Sequence, residues 1–228
     1  TVYKIDNYIT KKGSLCMKIL NEEHLESPEV NERFIKMNSF FLKLNHPNII
    51  KAYGFYIGDK TRTPLFVLDY TNSNLEKVIK SLNDGEIIQI IRQICSAMIE
   101  LHSQNIIHYD LIPKNILINQ EKQVKIANIS TLNSIRYRCK SKIFSAPEIG
   151  TQKNDNINNR KAIDVYAFGV NLCYIVSKGR KITIPNIENF QIPEKITQKA
   201  KNIILKCLSH EPEKRPSFES ILNEINTD

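Results

Sequence analysis

The chain has 228 residues, 41% of them apolar and 25% charged, with a formal net charge of +8. That is enough chain to bury a core, as one large domain or two small lobes, and too ordinary a composition for a disordered protein. The lysines are spread along the chain and no zinc-finger, glycine-aromatic or arginine-rich signature accompanies them, so a basic solvated surface is expected and nucleic acid is not expected as a partner.

The opening TVYKIDNYITKKGSLCMKIL alternates and is broken by KKGS, which predicts a β-hairpin. VNERFIKMNSFFLKLN has apolar residues at helical spacing. HPNIIKAYGFYI and TPLFVLDY read as strands joined by the polar turn GDKTRT, and TNSN as a linker. EIIQIIRQICSAMIELHSQ is a long amphipathic helix. NILIN and QVKIA are short strands around QEK, and a stretch without periodicity runs on to APE. Lys161 to Val176 predicts a buried helix. KITQKAKNIILKCLSH and PSFESILNEIN predict two more, the second capped by Ser217.

The cysteines, Cys16, Cys95, Cys139, Cys173 and Cys207, are far apart and form no CxxC pair. Buried thiols in a reducing compartment are expected, hence a cytoplasmic location with the nucleus as the alternative. No signal peptide and no membrane span is read in the sequence.

The densest chemistry lies in HYDLIPKNILIN, residues 108–119. His108-Tyr109-Asp110-Leu111 with Asn115 resembles the His-Arg-Asp-Leu…Asn signature of the protein kinase family. LCMK, LNHPNII, LFVLDY, KIANIS, SAPE, DVYAFG and EKRPSF follow in the family's order, so the resemblance covers nearly the whole chain. It implies an α+β, two-lobed protein kinase-like fold. A small antiparallel-sheet lobe with one helix is expected over residues 1–70 and a larger, mostly helical lobe over 71–228. The family's glycine-rich loop is expected upstream of Thr1.

The resemblance also implies a site. Asp110 would orient a substrate hydroxyl and receive its proton, Lys18 would grip the α- and β-phosphates, and Asn115 would hold a magnesium ion. Val2 and Cys16 would cover an adenine from above and Leu117 from below. Leu68 would be the gatekeeper, and Asp69, Tyr70 and Thr71 the hinge. Glu148 and Arg215 would form a buried ion pair, and Asp164 would accept bonds from the backbone of the loop carrying His108.

Several positions depart from the family. The metal-binding Asp-Phe-Gly triplet reads Asn128-Ile129-Ser130, and an amide binds a hard cation far less well than a carboxylate. Between Asp110 and Glu148 the only acidic residue is Glu121, expected in a turn away from the site. Met37 occupies the position of the glutamate that pairs with the strand lysine. Ile112 replaces a phosphate-contacting lysine, and Tyr109 replaces the arginine that reads a phosphate on the activation loop. Two readings follow. One is a pseudokinase-like module that binds nucleotide weakly or not at all and acts through regulatory protein partners. The other is a divergent active kinase, serine/threonine type favoured, that uses ATP and Mg2+ on a protein substrate.

Overall fold

The computed structural model describes residues 1–10, 13–20, 27–57, 63–129, 142–149, 156–180, 190–194 and 196–227. Four antiparallel strands form the smaller lobe: β1 (Val2–Thr10), β2 (Gly13–Ile19), β3 (Ala52–Ile57) and β4 (Pro64–Asp69), in the order β1-β2-β4-β3. The central strand β4 alternates strictly, burying Phe66 and Leu68. This is the period-two pattern of a strand with one face on a core.

Helix α1 (Pro28–Lys43) packs against β3 and β4. Ser27 caps it by accepting from the Val30 N–H, and Pro28 fits the first turn, where no N–H is needed. The ring of Phe34 meets Phe66 edge-on at 5.8 Å and joins helix to sheet.

HPNIIKAYGFYI is strand only from Ala52 onward. Upstream, the chain crosses to the larger lobe. The Ile50 N–H donates to Ile126 O at 2.9 Å and the Ile126 N–H to Asn48 O at 2.8 Å. Ile126 belongs to β6 (Val124–Ile126), which pairs with β5 (Ile116–Ile118) in a second, two-stranded sheet. TNSN is less a linker than a cap: Asn74 accepts from the Lys77 N–H and starts a short helix, α2 (Leu75–Val78), that sequence reasoning missed.

The rest of the larger lobe is helical. Helix α3 (Asp84–Ser103) opens with a reciprocal capping box between Asn83 and Glu86, both bonds 2.9 Å. Helix α4 (Ile157–Val176) begins earlier than the apolar run implied, at the cap Asn156. It is buried nearly all round, because α5 (Gln198–Cys207), α6 (Phe218–Asn226) and α3 surround it. Gly169 permits the approach of α5: a Cβ there would stand 2.8 Å from the Cys207 Cβ. Ser217 caps α6 as expected. Phe218 of α6 meets Phe168 and His102, both edge-on at 5.3 Å. The observed architecture is α+β, a small antiparallel-sheet lobe with one helix against a larger helical lobe. No helix among the described residues is long and apolar enough to cross a membrane.

Candidate functional site

The segment from His108 to Asn115 is held from beneath by one carboxylate. Asp164, fully buried on α4, accepts from the His102 ring Nε2 at 2.9 Å and from the backbone N–H groups of His108 and Tyr109 at 2.8 Å each. A buried carboxylate is costly unless satisfied in this way. Two successive N–H groups aimed at one side chain fix the local backbone, and Tyr109 takes φ 60°, a left-handed conformation that costs a bulky residue about 1–2 kcal/mol.

His108 is fully buried too. Its Nε2 faces Ala127 O at 3.0 Å, and its Nδ1 faces the Asp110 N–H at 3.2 Å. A carbonyl can only accept and an N–H can only donate, so the ring is the neutral tautomer with its proton on Nε2. Burial also lowers its pKa, in the same direction. His108 thus ties the segment carrying Asp110 to the one carrying Asn128.

Farther down, Arg215 and Glu148 form a two-pronged ion pair of 2.6 and 2.8 Å, both side chains buried. Arg215 also donates to Ala162 O at 3.0 Å and Ser209 O at 2.8 Å, and its guanidinium lies 5.0 Å from the centre of the Tyr166 ring. Every charge in this floor is matched by a partner of fixed geometry.

A chain of hydrogen bonds among the described residues crosses the cleft above. Lys18 Nζ donates to Asn128 Oδ1 at 2.8 Å, Asn128 Nδ2 donates to Asn115 Oδ1 at 2.8 Å, and Asn115 Nδ2 donates to Asp110 Oδ2 at 2.8 Å and to Asp110 O at 2.8 Å. An ammonium only donates and a carboxylate only accepts, so the two ends fix how both amides are turned. Each amide oxygen points toward the lysine end and each NH2 toward the aspartate end. Asn128 has φ 62°, a conformation that asparagine tolerates better than most residues. Burial pushes the Lys18 ammonium down to about 8, against a smaller opposing effect of Cys16.

The strand register gathers the other expected residues. Val2 lies opposite Lys18, and Cys16 opposite Leu68, so that Val2, Cys16, Lys18 and Leu68 share one face of the sheet. Cys16 and Leu68 are buried, Leu117 is half-buried, and Val2 is 56% exposed. The hinge is more committed than its sequence implied. The Asp69 N–H donates to Lys51 O at 3.0 Å, the Tyr70 N–H to Ser14 O at 2.9 Å, and the Cys16 thiol to Asp69 O at 3.4 Å.

The Asp69 carboxylate turns away from the cleft, toward the Tyr53 hydroxyl at 2.8 Å and Lys125 Nζ at 3.4 Å. There the hinge borders a separate outer groove of about 1340 Å3 lined by Lys51, Tyr53, Tyr70 and Lys125, which includes none of Lys18, Asp110, Asn115 or Asn128. Glu121 is exposed beside this groove, away from the cleft. Lys114 is exposed and pairs with Glu76 at 3.9 Å, facing outward.

Sequence reasoning missed His102 as the third donor to Asp164. Its signal was a polar residue on the apolar stripe of α3, among Met98 and Leu101. The Met37 side chain, Ser130, Thr131, Ser134, Tyr137, Cys139 and Ser141 lie outside the described residues.

A family model described as protein tyrosine and serine/threonine kinase matches residues 2–225. The chain belongs to the protein kinase family. Among curated relatives, it is similar to an Aurora kinase of Saccharomyces cerevisiae, 27% identical over 219 residues, covering 89% of this chain and 59% of the relative. It is similar to the probable serine/threonine-protein kinase MARK-A of Dictyostelium discoideum, 28% identical over 228 residues, with 92% and 21% covered. A carbon catabolite-derepressing protein kinase of Candida glabrata is 27% identical over 240 residues, with 97% and 38% covered. The matches therefore span 21–59% of the length of these relatives.

Proposed function

We propose that this chain is a pseudokinase-like module, with a small lobe over residues 1–70 and a large lobe over 71–228, that binds nucleotide weakly or not at all and acts through protein partners. The observation that carries this reading is Asn128. It stands where the family has its metal-binding carboxylate, and its side-chain oxygen accepts from Lys18. Phosphoryl transfer depends on neutralising charge at the phosphates, and a neutral amide attracts a hard cation far less strongly than a carboxylate does.

The edge strand β3 supports a role in protein contact, since Tyr53, Phe55, Tyr56 and Ile57 are 36–52% exposed along it. The described cysteines Cys16, Cys95, Cys173 and Cys207 are free and buried, which supports a reducing compartment, the cytoplasm first.

The second reading is an active protein kinase, serine/threonine type favoured, using ATP and Mg2+. The continuity of Lys18, Asn115 and Asp110 in one bonded chain favours it. Transfer of radiolabelled γ-phosphate by the natural full-length protein, with Mg2+ or Mn2+, separates the two. The expected result is no transfer above that of Asp110→Ala. Transfer that Asp110→Ala abolishes would establish the enzyme instead.

A further inference from the structure

The cleft fails the test for a magnesium site. Mg2+ takes oxygen ligands in near-octahedral geometry and favours carboxylates. Here the Asn128 oxygen is bonded to Lys18, the Asn115 oxygen to the NH2 of Asn128, and one Asp110 oxygen to the NH2 of Asn115. Among the described residues no group of three His, Cys, Asp or Glu could hold a metal ion. Turning the Asn128 oxygen toward a cation would aim its NH2 at the Lys18 ammonium, donor against donor.

Charge decides what the cleft can take instead. The run of hydrogen bonds ends in a cation, Lys18, and an anion, Asp110. A polyphosphate without a metal can displace the neutral Asn128 oxygen from Lys18 and replace one neutral acceptor by several charged ones. A polyphosphate carrying Mg2+ brings its anionic oxygens already engaged, and sets a dication beside Lys18 with no carboxylate at residue 128 to balance it.

We propose that the cleft accepts a purine nucleoside polyphosphate in its cation-free form, and that Mg2+ weakens this binding. The proposal rests on the pseudokinase-like reading and adds the ionic form of the ligand.

The test is the affinity of the natural full-length protein for ATP by titration calorimetry, in EDTA and in excess Mg2+, with adenosine as the phosphate-free control. ATP is expected to bind in EDTA and at least threefold more weakly in Mg2+, while adenosine is indifferent to the cation. Lys18→Met should abolish the difference, and Asn128→Asp should reverse its sign. Equal or tighter ATP binding in Mg2+, or no ATP binding in either condition, would overturn the proposal. Phosphate transfer in the separate assay would instead overturn the pseudokinase-like reading, so the two failures are distinguishable.

Discussion

The floor of the large lobe and the cleft above it both depend on charged groups, and they treat those groups differently. In the floor, the carboxylates of Asp164 and Glu148 are buried and receive three and two of the hydrogen bonds described, at 2.6–2.9 Å. In the cleft, the lysine and the aspartate never meet, and two neutral amides carry the contact between them. The floor shapes the chain, so its charges must be matched or the fold suffers. In the cleft Asn128 is exposed, so water can serve its groups and an amide there leaves no buried charge unmatched. Substitutions should therefore have unequal costs in the two regions.

The largest cost should come from Arg215→Ala. It strands the buried Glu148 carboxylate, and urea unfolding should show a loss of about 3–5 kcal/mol. Asp164→Asn should follow at about 2–4 kcal/mol, since an amide offers one acceptor oxygen where two carboxylate oxygens served three donors. If either change proved nearly neutral, the contrast between floor and cleft would collapse.

In the cleft the sign should invert. Lys18 holds its proton less tightly folded, near 8, than unfolded, near 10.5. Below pH 8 both states are protonated and the folded state bears the whole penalty. Between about 8 and 10.5 the unfolded chain binds the extra proton, so stability rises with pH. Lys18→Met should therefore stabilise the protein by about 1–2 kcal/mol at pH 7, after allowance for its lost bond to Asn128. That gain should vanish by pH 10.5 in melts run across the range. The smallest effect should be that of Asn128→Ala, a loss of about 1 kcal/mol in urea unfolding, since alanine tolerates φ 62° less well than asparagine and the bond to Lys18 is lost.

How legible each region was follows from the same contrast. The two lobes, the ion pair of Glu148 with Arg215 and the seat of Asp164 could all be anticipated, because buried elements impose periodicity and motif order on the sequence. Helix α2 escaped because its four residues are too few for a period, and only Asn74 marks its start. The first part of HPNIIKAYGFYI looked like strand because it is apolar, yet Ile49 and Ile50 are buried against β6 through a parallel bridge. The orientation of the cleft amides was beyond sequence reasoning. It depends on which end of the hydrogen-bond chain carries the ammonium, and only the spatial order of Lys18, Asn128, Asn115 and Asp110 settles that. Asp69 likewise showed its place in the hinge but not its commitment to Tyr53 and Lys125, which come from other strands.

The most direct test compares γ-phosphate transfer by the parent full-length protein, Asp110→Ala and Asn128→Asp, side by side in Mg2+. The account predicts that the parent is no more active than Asp110→Ala, because a neutral amide stands where the cation would be held. Transfer by the parent that equals that of Asn128→Asp and is lost in Asp110→Ala would contradict it.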